Sequence, residues 1–163
     1  FHTGLSGLAS AAYNGTRGVI VIMDNAITAM TGAQSNPGTG MTLQGKTTKK
    51  LFLEKICLAA GADQVDVIDP YHMEDFYKLL QTRLAESKLS VIIARANCRM
   101  VDRSRQASRW IDEAVCTRCG LCLRLDCPAI SKKEDGQAVI DPVLCVGCGL
   151  CQQVCRFQVI KNK

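Results

Sequence analysis

Ten cysteines occur in this chain, and eight of them fall between Cys116 and Cys155 in a doubled pattern that restricts the fold more than any other feature. One run is Cys116-x2-Cys119-x2-Cys122-x4-Cys127-Pro128, and the other is Cys145-x2-Cys148-x2-Cys151-x3-Cys155. Each contains the step Cys-Gly-Leu-Cys, from Cys119 to Cys122 and from Cys148 to Cys151. Three cysteines at steps of three lie on a tight loop whose sulfurs can reach three corners of a cube, and the fourth must arrive from elsewhere. Zinc also takes four cysteines, but usually from paired Cys-x2-Cys knuckles that have no use for a third cysteine at the same step. Disulfides fit less well still, because such short gaps suit metal and nothing in the sequence marks export.

The spacing therefore reads as two iron–sulfur clusters, both 4Fe-4S, and as one-electron transfer. In two-cluster ferredoxins the last cysteine of each run ligates the cluster of the other run. On that pattern one cluster takes Cys116, Cys119, Cys122 and Cys155, and the second takes Cys145, Cys148, Cys151 and Cys127. Gly120, Gly147 and Gly149 suit close approach of backbone to inorganic sulfide, leaving amides free to donate to sulfur. Two departures from the commonest form are Arg156 in place of proline after Cys155, and four rather than three residues before Cys127. Neither removes a ligand. Cys57, on a predicted helix face with Leu53 and Ile56, and Cys98, at a strand end, read as inert thiols.

Ahead of the cysteines, residues 1–97 alternate between strand and helix. The pattern predicts a short helix over Gly7–Tyr13, a buried strand over Val19–Met23 and a further strand over Val65–Ile68. A helix capped by Thr47 or Thr48 should run to Ala60 with Gly61 as its stop. Asp69-Pro70 should open a helix over Tyr71–Ser87, and Leu89–Ala94 reads as a third, buried strand. Such alternation implies α/β architecture with a parallel sheet covered on both faces. Residues 98–115, with Arg99, Arg103, Arg105 and Arg109 among Asp102, Asp112 and Glu113, lose the apolar period and read as a linker or surface strap. Residues 116–163 form a small α+β ferredoxin-like domain.

The apolar share of 47% and charged share of 21% are those of a globular chain. The formal charge of +5 falls to about +1 once two clusters of roughly −2 each are counted. No lysine-rich helix or aromatic–basic interleaving supports a nucleic-acid site. The opening FHTGLSGLAS is no signal peptide, and no apolar stretch reaches the length of a membrane span. A start at Phe1 rather than Met reads as a piece of a longer chain.

The stretch Asn25–Lys46 is rich in Gly, Thr and Ser and too long for an ordinary connection, which points to a functional loop. It follows the first strand, where ligands bind in a parallel α/β sheet. Asp24-Asn25 can offer oxygen to a hard cation such as Mg2+. Thr28-Ala29-Met30-Thr31-Gly32 and Asn36-Pro37-Gly38-Thr39-Gly40 add hydroxyls and amides suited to a diphosphate, though composition alone fits a merely flexible loop equally well.

The segment Asp24–Gly40, DNAITAMTGAQSNPGTG, resembles the cofactor loop of the indolepyruvate:ferredoxin oxidoreductase α subunit, in the thiamine-diphosphate-dependent 2-oxoacid:ferredoxin oxidoreductase family. The start Phe1-His2-Thr3-Gly4 matches too, as does the order of a thiamine domain and then a two-cluster domain. The resemblance implies that residues 1–97 are the C-terminal part of a thiamine-diphosphate/Mg2+ domain. Asn25 would bind Mg2+ by its side chain and Ile27 by its carbonyl, with Thr28, Ala29, Met30 and Thr31 on the cofactor. His2 and Thr3 would lie near its reactive end. The family's remaining Mg2+ aspartate would precede Phe1.

It implies oxidative decarboxylation of an aryl 2-oxoacid, indolepyruvate, to an acyl-CoA, with electrons passing through the clusters to an external ferredoxin. The partners implied are a β subunit, ferredoxin, the 2-oxoacid and coenzyme A, with no nucleic acid and no membrane. Oxygen-sensitive clusters favour a cytoplasmic setting in an anaerobe, with the piece inactive on its own. Pyruvate or branched 2-oxoacids, and a module that only transfers electrons, are the competing readings.

Overall fold

The computed structural model describes residues 3–99, 102 and 107–163. The expectations for Phe1, His2, Arg103 and Arg105 lie outside the described residues. The chain divides into two units, Phe1–Val101 and Asp102–Lys163.

The first unit is built around Leu89–Arg95 (β3), whose first six residues are all buried. A near-continuous apolar run, broken here only by the buried Ser90, is what a central parallel strand requires. Gly18–Asp24 (β1) and Gln64–Ile68 (β2) flank it, both parallel, giving the order β1-β3-β2. Helices Leu5–Tyr13 (α1) and Leu53–Ala59 (α2) bring Leu8 and Cys57 onto Leu89, Val91 and Ile93, with Ile20, Ile22 and Val65 packed against them. Gly61 ends the α2 turn at a φ of +99°, and a Cβ there would come within 2.7 Å of the Ala12 Cβ, so α1 and α2 approach closely only over a glycine. Met73–Ala85 (α3) is tied to β2 by a bidentate ion pair, Arg83 Nε and Nη2 donating to Asp66 at 2.7 and 2.8 Å.

Several element boundaries differ from the sequence reading. The helix expected from Thr47 or Thr48 starts only at Leu53. The Thr48 and Leu51 amides are drawn back to the carbonyls of Gly40 and Pro37, at 3.0 and 2.9 Å, so this stretch belongs to the loop before it. The helix expected from Tyr71 starts at Met73, because the Asp69 side chain accepts the Tyr71 amide at 2.8 Å and holds a turn there. The strand expected to be buried at Val19–Met23 is half-exposed: Val21 and Met23 are 42% and 87% exposed, since β1 lies at the sheet edge. Within the stretch read as linker, Arg109–Ile111 form a paired strand (β4) of the second unit.

The second unit is an internal duplication. β4 precedes the first cysteine run, which continues into a 3-10 helix, Leu121–Leu125, and then Ile130–Lys132 (β5). Ala138–Ile140 (β6) precedes the second run, which continues into Leu150–Val154 (α4) and Ile160–Asn162 (β7). β4 pairs antiparallel with β7, and β5 with β6. The repeat extends to single hydrogen bonds. Asp112 and Asp141 each accept, through the main chain, the amide of the first cysteine of a run, Cys116 and Cys145, both at 3.0 Å. Ile111, Ala129, Ala138, Ile140, Cys151, Val159 and Ile160 form the core, and Cys116, Cys122, Cys127, Cys145 and Cys155 pack against it.

Candidate cluster centres and cofactor loop

Two conformational details shape each cysteine run. Gly120 and Gly149 have φ of +76° and +79°, turning the chain after the second cysteine into the short helix that carries the third. One residue before the second cysteine, Gly147 has φ of +71°, and its counterpart Arg118 has φ of +57°. An arginine is strained in this left-handed region. Its side chain is fastened on the β5–β6 hairpin: Nε donates to Gln137 Oε1 at 3.3 Å, and Nη2 pairs with Asp135 at 3.2 Å. Gln137 is itself buried and donates to the Ala138 carbonyl at 3.0 Å.

The last cysteine of each run lies with the other run. Cys116, Cys119, Cys122 and Cys155 line one cavity, walled by Ile111, Ala138, Val159 and Ile160. Burial pushes the Cys122 thiol up, and the charges of Cys116, Cys119 and Cys155 add to the effect. In the other half, burial is again the main cause, with Cys148, Cys145 and Cys127 close enough to contribute, and the Cys151 thiol is pushed up to about 11. Burial among apolar walls disfavours the anionic forms of Cys122 and Cys151 until a cation compensates them. Among the described residues no three His, Cys, Asp or Glu side chains are gathered to hold a single metal ion. The first quartet instead rings a cavity, the shape that a cuboidal cluster needs. The Arg109 amide donates to Cys145 Sγ at 3.3 Å, the kind of N–H···S contact that stabilises cluster thiolates. The donor set and its surroundings fit iron–sulfur clusters.

In the first unit, the stretch after β1 is ordered rather than loose. Thr28 and Gln34 exchange backbone hydrogen bonds across one short tongue, and Met41 and Thr47 bridge another. Asn25 Oδ1 accepts the Ile27 amide at 3.2 Å, and Asp24 Oδ1 accepts that of Ala26 at 3.1 Å, so Ala26 is held at a φ of +58° between them. Asn25 and Ile27 are half-buried, whereas Thr28, Ala29, Met30 and Thr31 are exposed. An amide oxygen with one donor on it keeps a lone pair for a cation, and a main-chain carbonyl is a second oxygen ligand of the hard type Mg2+ prefers. These residues fit a metal–diphosphate group.

Sequence reasoning missed what holds this corner. Arg95, at the end of β3, donates from Nε to Asp24 Oδ2 and from Nη1 to Glu54 Oε1, both at 2.7 Å. The Glu54 carboxyl is held below its usual range, chiefly by that Arg95 bond. Asp24 is thereby committed to Arg95 and Ala26, leaving Asn25 as the side-chain oxygen of the pair for a cation. The signal available was an arginine closing an otherwise uncharged strand, since a half-buried guanidinium requires a partner. The Cys98 amide donates to the Asn25 carbonyl at 3.0 Å, so Cys98 contributes main chain to the same corner. Cys57 is fully buried, its thiol raised by that burial.

Comparison with known proteins agrees with both halves. Residues 1–94 match the thiamine pyrophosphate enzyme C-terminal TPP-binding domain, and residues 138–161 match the 4Fe-4S binding domain. The chain belongs to the thiamine pyrophosphate enzymes through that C-terminal domain, with an iron–sulfur region behind it. More narrowly, it is similar to indolepyruvate oxidoreductase subunit IorA: 42% identical to that of Pyrococcus horikoshii and 41% to that of Pyrococcus abyssi, over 130 residues in each case. The IorA of Methanothermobacter marburgensis is 36% identical over 124 residues. These matches cover 76% of this chain, and the chain spans 20% of the length of the relatives. The resemblance to the α subunit of indolepyruvate:ferredoxin oxidoreductase holds. No solved structure matches the chain. Among the described residues, no helix is long and apolar enough to cross a membrane.

Proposed function

We propose that this chain is the cofactor-loop and electron-exit portion of a 2-oxoacid:ferredoxin oxidoreductase acting on an aryl 2-oxoacid such as indolepyruvate. Residues 1–97 contribute to the thiamine-diphosphate domain, and the second unit, which takes in Arg109–Ile111 from the stretch read as linker, carries two 4Fe-4S clusters on Cys116–Cys155. The observation that carries this reading is the meeting of Cys155 with Cys116, Cys119 and Cys122 around one cavity, in the same chain as a loop corner where Asn25 accepts the Ile27 amide.

When bound, thiamine diphosphate supplies the carbanion chemistry that releases CO2 from the 2-oxoacid, and the clusters supply one-electron steps. The chain's own residues position these groups. Asn25 and Ile27 hold Mg2+ through oxygen, and Thr28, Ala29, Met30 and Thr31 face the diphosphate. Arg95 fixes the strand end from which they extend. Cys116, Cys119, Cys122 and Cys155 hold one cluster, and Cys145, Cys148, Cys151 and Cys127 the other. A β subunit, coenzyme A and an external ferredoxin complete the reaction in a cytoplasmic enzyme.

Anaerobic analysis of the purified chain tests the cluster assignment. About eight iron and eight sulfide per chain are expected, whereas two zinc atoms without sulfide would overturn it. Viologen reduction by the whole enzyme tests the substrate, with indolepyruvate expected to outrun pyruvate and branched 2-oxoacids. The reverse order would move the chain to a different branch of the family. A cofactor domain accompanies the cysteines, which favours this reading over a module that only transfers electrons.

A further inference from the structure

The internal duplication of the second unit makes its two cysteine quartets directly comparable. Ile111-Asp112 and Ile140-Asp141 stand at the same distance ahead of Cys116 and Cys145, and this register aligns Arg109 with Ala138. Both open a strand, β4 and β6 respectively. Each is placed beside the run it does not precede: Ala138 lines the cavity of Cys116, Cys119, Cys122 and Cys155, while Arg109 reaches the second run. Where one run has an alanine beside it, the other has an arginine.

Arg109 is anchored firmly. It is 9% exposed, its amide donates to Cys145 Sγ at 3.3 Å, and its Nη1 donates to the Ala107 carbonyl at 2.7 Å. Its Nη2 lies 3.5 Å from the point where a Cβ on Gly149 would stand, so the cation is lodged against the turn joining Cys148 to Cys151. The equivalent point on Gly120 meets only a Leu123 methyl, at 4.0 Å. Arg118, the arginine on the cavity of the first quartet, has a side chain 53% exposed, so water screens its charge. A buried charge acts through a lower effective dielectric.

Reduction of a cluster adds negative charge, so burial disfavours it and a nearby cation favours it. Cys151 is buried whereas Cys122 is half-buried, so burial by itself would hold the second cluster at the lower potential. We infer that Arg109 is a positioning residue for electron transfer, whose buried guanidinium supports the reduced state of the cluster on Cys145, Cys148, Cys151 and Cys127 and makes it inequivalent to its counterpart. The inference rests on the two-cluster reading above.

The test is an EPR-monitored redox titration of the full chain, anaerobically reconstituted with iron and sulfide, in wild type, Arg109→Met and Arg109→Lys. The backbone N–H···S contact is available in all three, so the comparison isolates the side-chain charge. With iron and sulfide at the wild-type content, Arg109→Met should lower one of the two midpoint potentials by at least tenfold in the one-electron equilibrium, about 59 mV, and leave the other in place. Arg109→Lys should restore most of the difference. Unchanged potentials in Arg109→Met, or an equal shift of both, would overturn the inference. A wild-type chain lacking about eight iron and eight sulfide would instead overturn the two-cluster reading. Should Arg109→Met lose its clusters, Arg109→Lys and Arg109→Gln carry the same comparison: a charge-independent shift refutes the role.

Discussion

Arg118 and Gly147 occupy the same place in the two cysteine runs, and both have a left-handed backbone. The glycine could be read from the sequence, because close backbone approach to a cluster calls for it. The arginine could not, since its strain of about 1–2 kcal/mol is borne by partners on a hairpin that only the fold brings near. The gathering of Cys116, Cys119 and Cys122 on one cavity was legible for a different reason: short, regular gaps constrain their geometry locally. Cys127 and Cys155 needed the further knowledge that paired runs exchange their last ligand. A substitution at that position is diagnostic. Cys155→Ala should take iron and sulfide from about eight of each to about four, with loss of the cluster on Cys116 and retention of the one on Cys145. Iron analysis with EPR of the reduced protein reads the outcome, and the opposite retention would refute the exchanged assignment.

Among elements, β3 was legible nearly to the residue, because a run so largely apolar, with Ser90 its one polar member before Arg95, has few other places in an α/β fold. The start of α2 was not. Thr48 looks like a helix cap, but a long-range bond to Gly40 competes for that segment, and such a bond leaves no local trace. The Asp24–Arg95–Glu54 link escaped for the same reason, its members lying far apart in sequence on β1, β3 and α2. That link has a pH signature. The Glu54 carboxyl is lowered in the fold by Arg95, so its stabilisation is full above the unfolded value of about 4.3 and is lost as pH falls through the folded value. Glu54→Gln should cost on the order of 1 kcal/mol near neutral pH and should flatten the acid side of the stability curve. Urea unfolding at a series of pH values between 6 and 3 measures both, roughly spanning the carboxylate range. A parallel offset of the two curves at every pH would rule out the ionised Glu54 as the source.

At the scale of the whole molecule, the two units depend on different kinds of interaction. The first has a sheet with helices on its faces and a continuous apolar core. The second has short strands and a small core in which thiols form much of the packing surface. A unit of this size with so small a core is marginal on its own and is strengthened by bound metal. Removing iron with a chelator under reducing conditions should therefore raise amide hydrogen exchange throughout residues 107–163 and leave β3 protected. Equal loss of protection in β3 would show that the first unit relies on the clusters as well. The division into a cofactor part and a cluster part was legible because cysteine density changes abruptly along the chain. The inclusion of Arg109–Ile111 in the second unit was not, because three residues pairing with a distant strand carry no periodicity of their own.

The antiparallel contact of β4 with β7, extended by the bond from the Lys163 amide to the Ser108 carbonyl at 2.9 Å, brings the entrance and exit of the second unit to the same edge. A cassette whose two ends lie side by side can be grafted onto a host protein through one strand end, or set into a host loop, without its interior being opened. For evolution, such a unit is portable: it can be joined to a different host in one splice, with both cysteine runs and the pairing of β4 with β7 carried over intact.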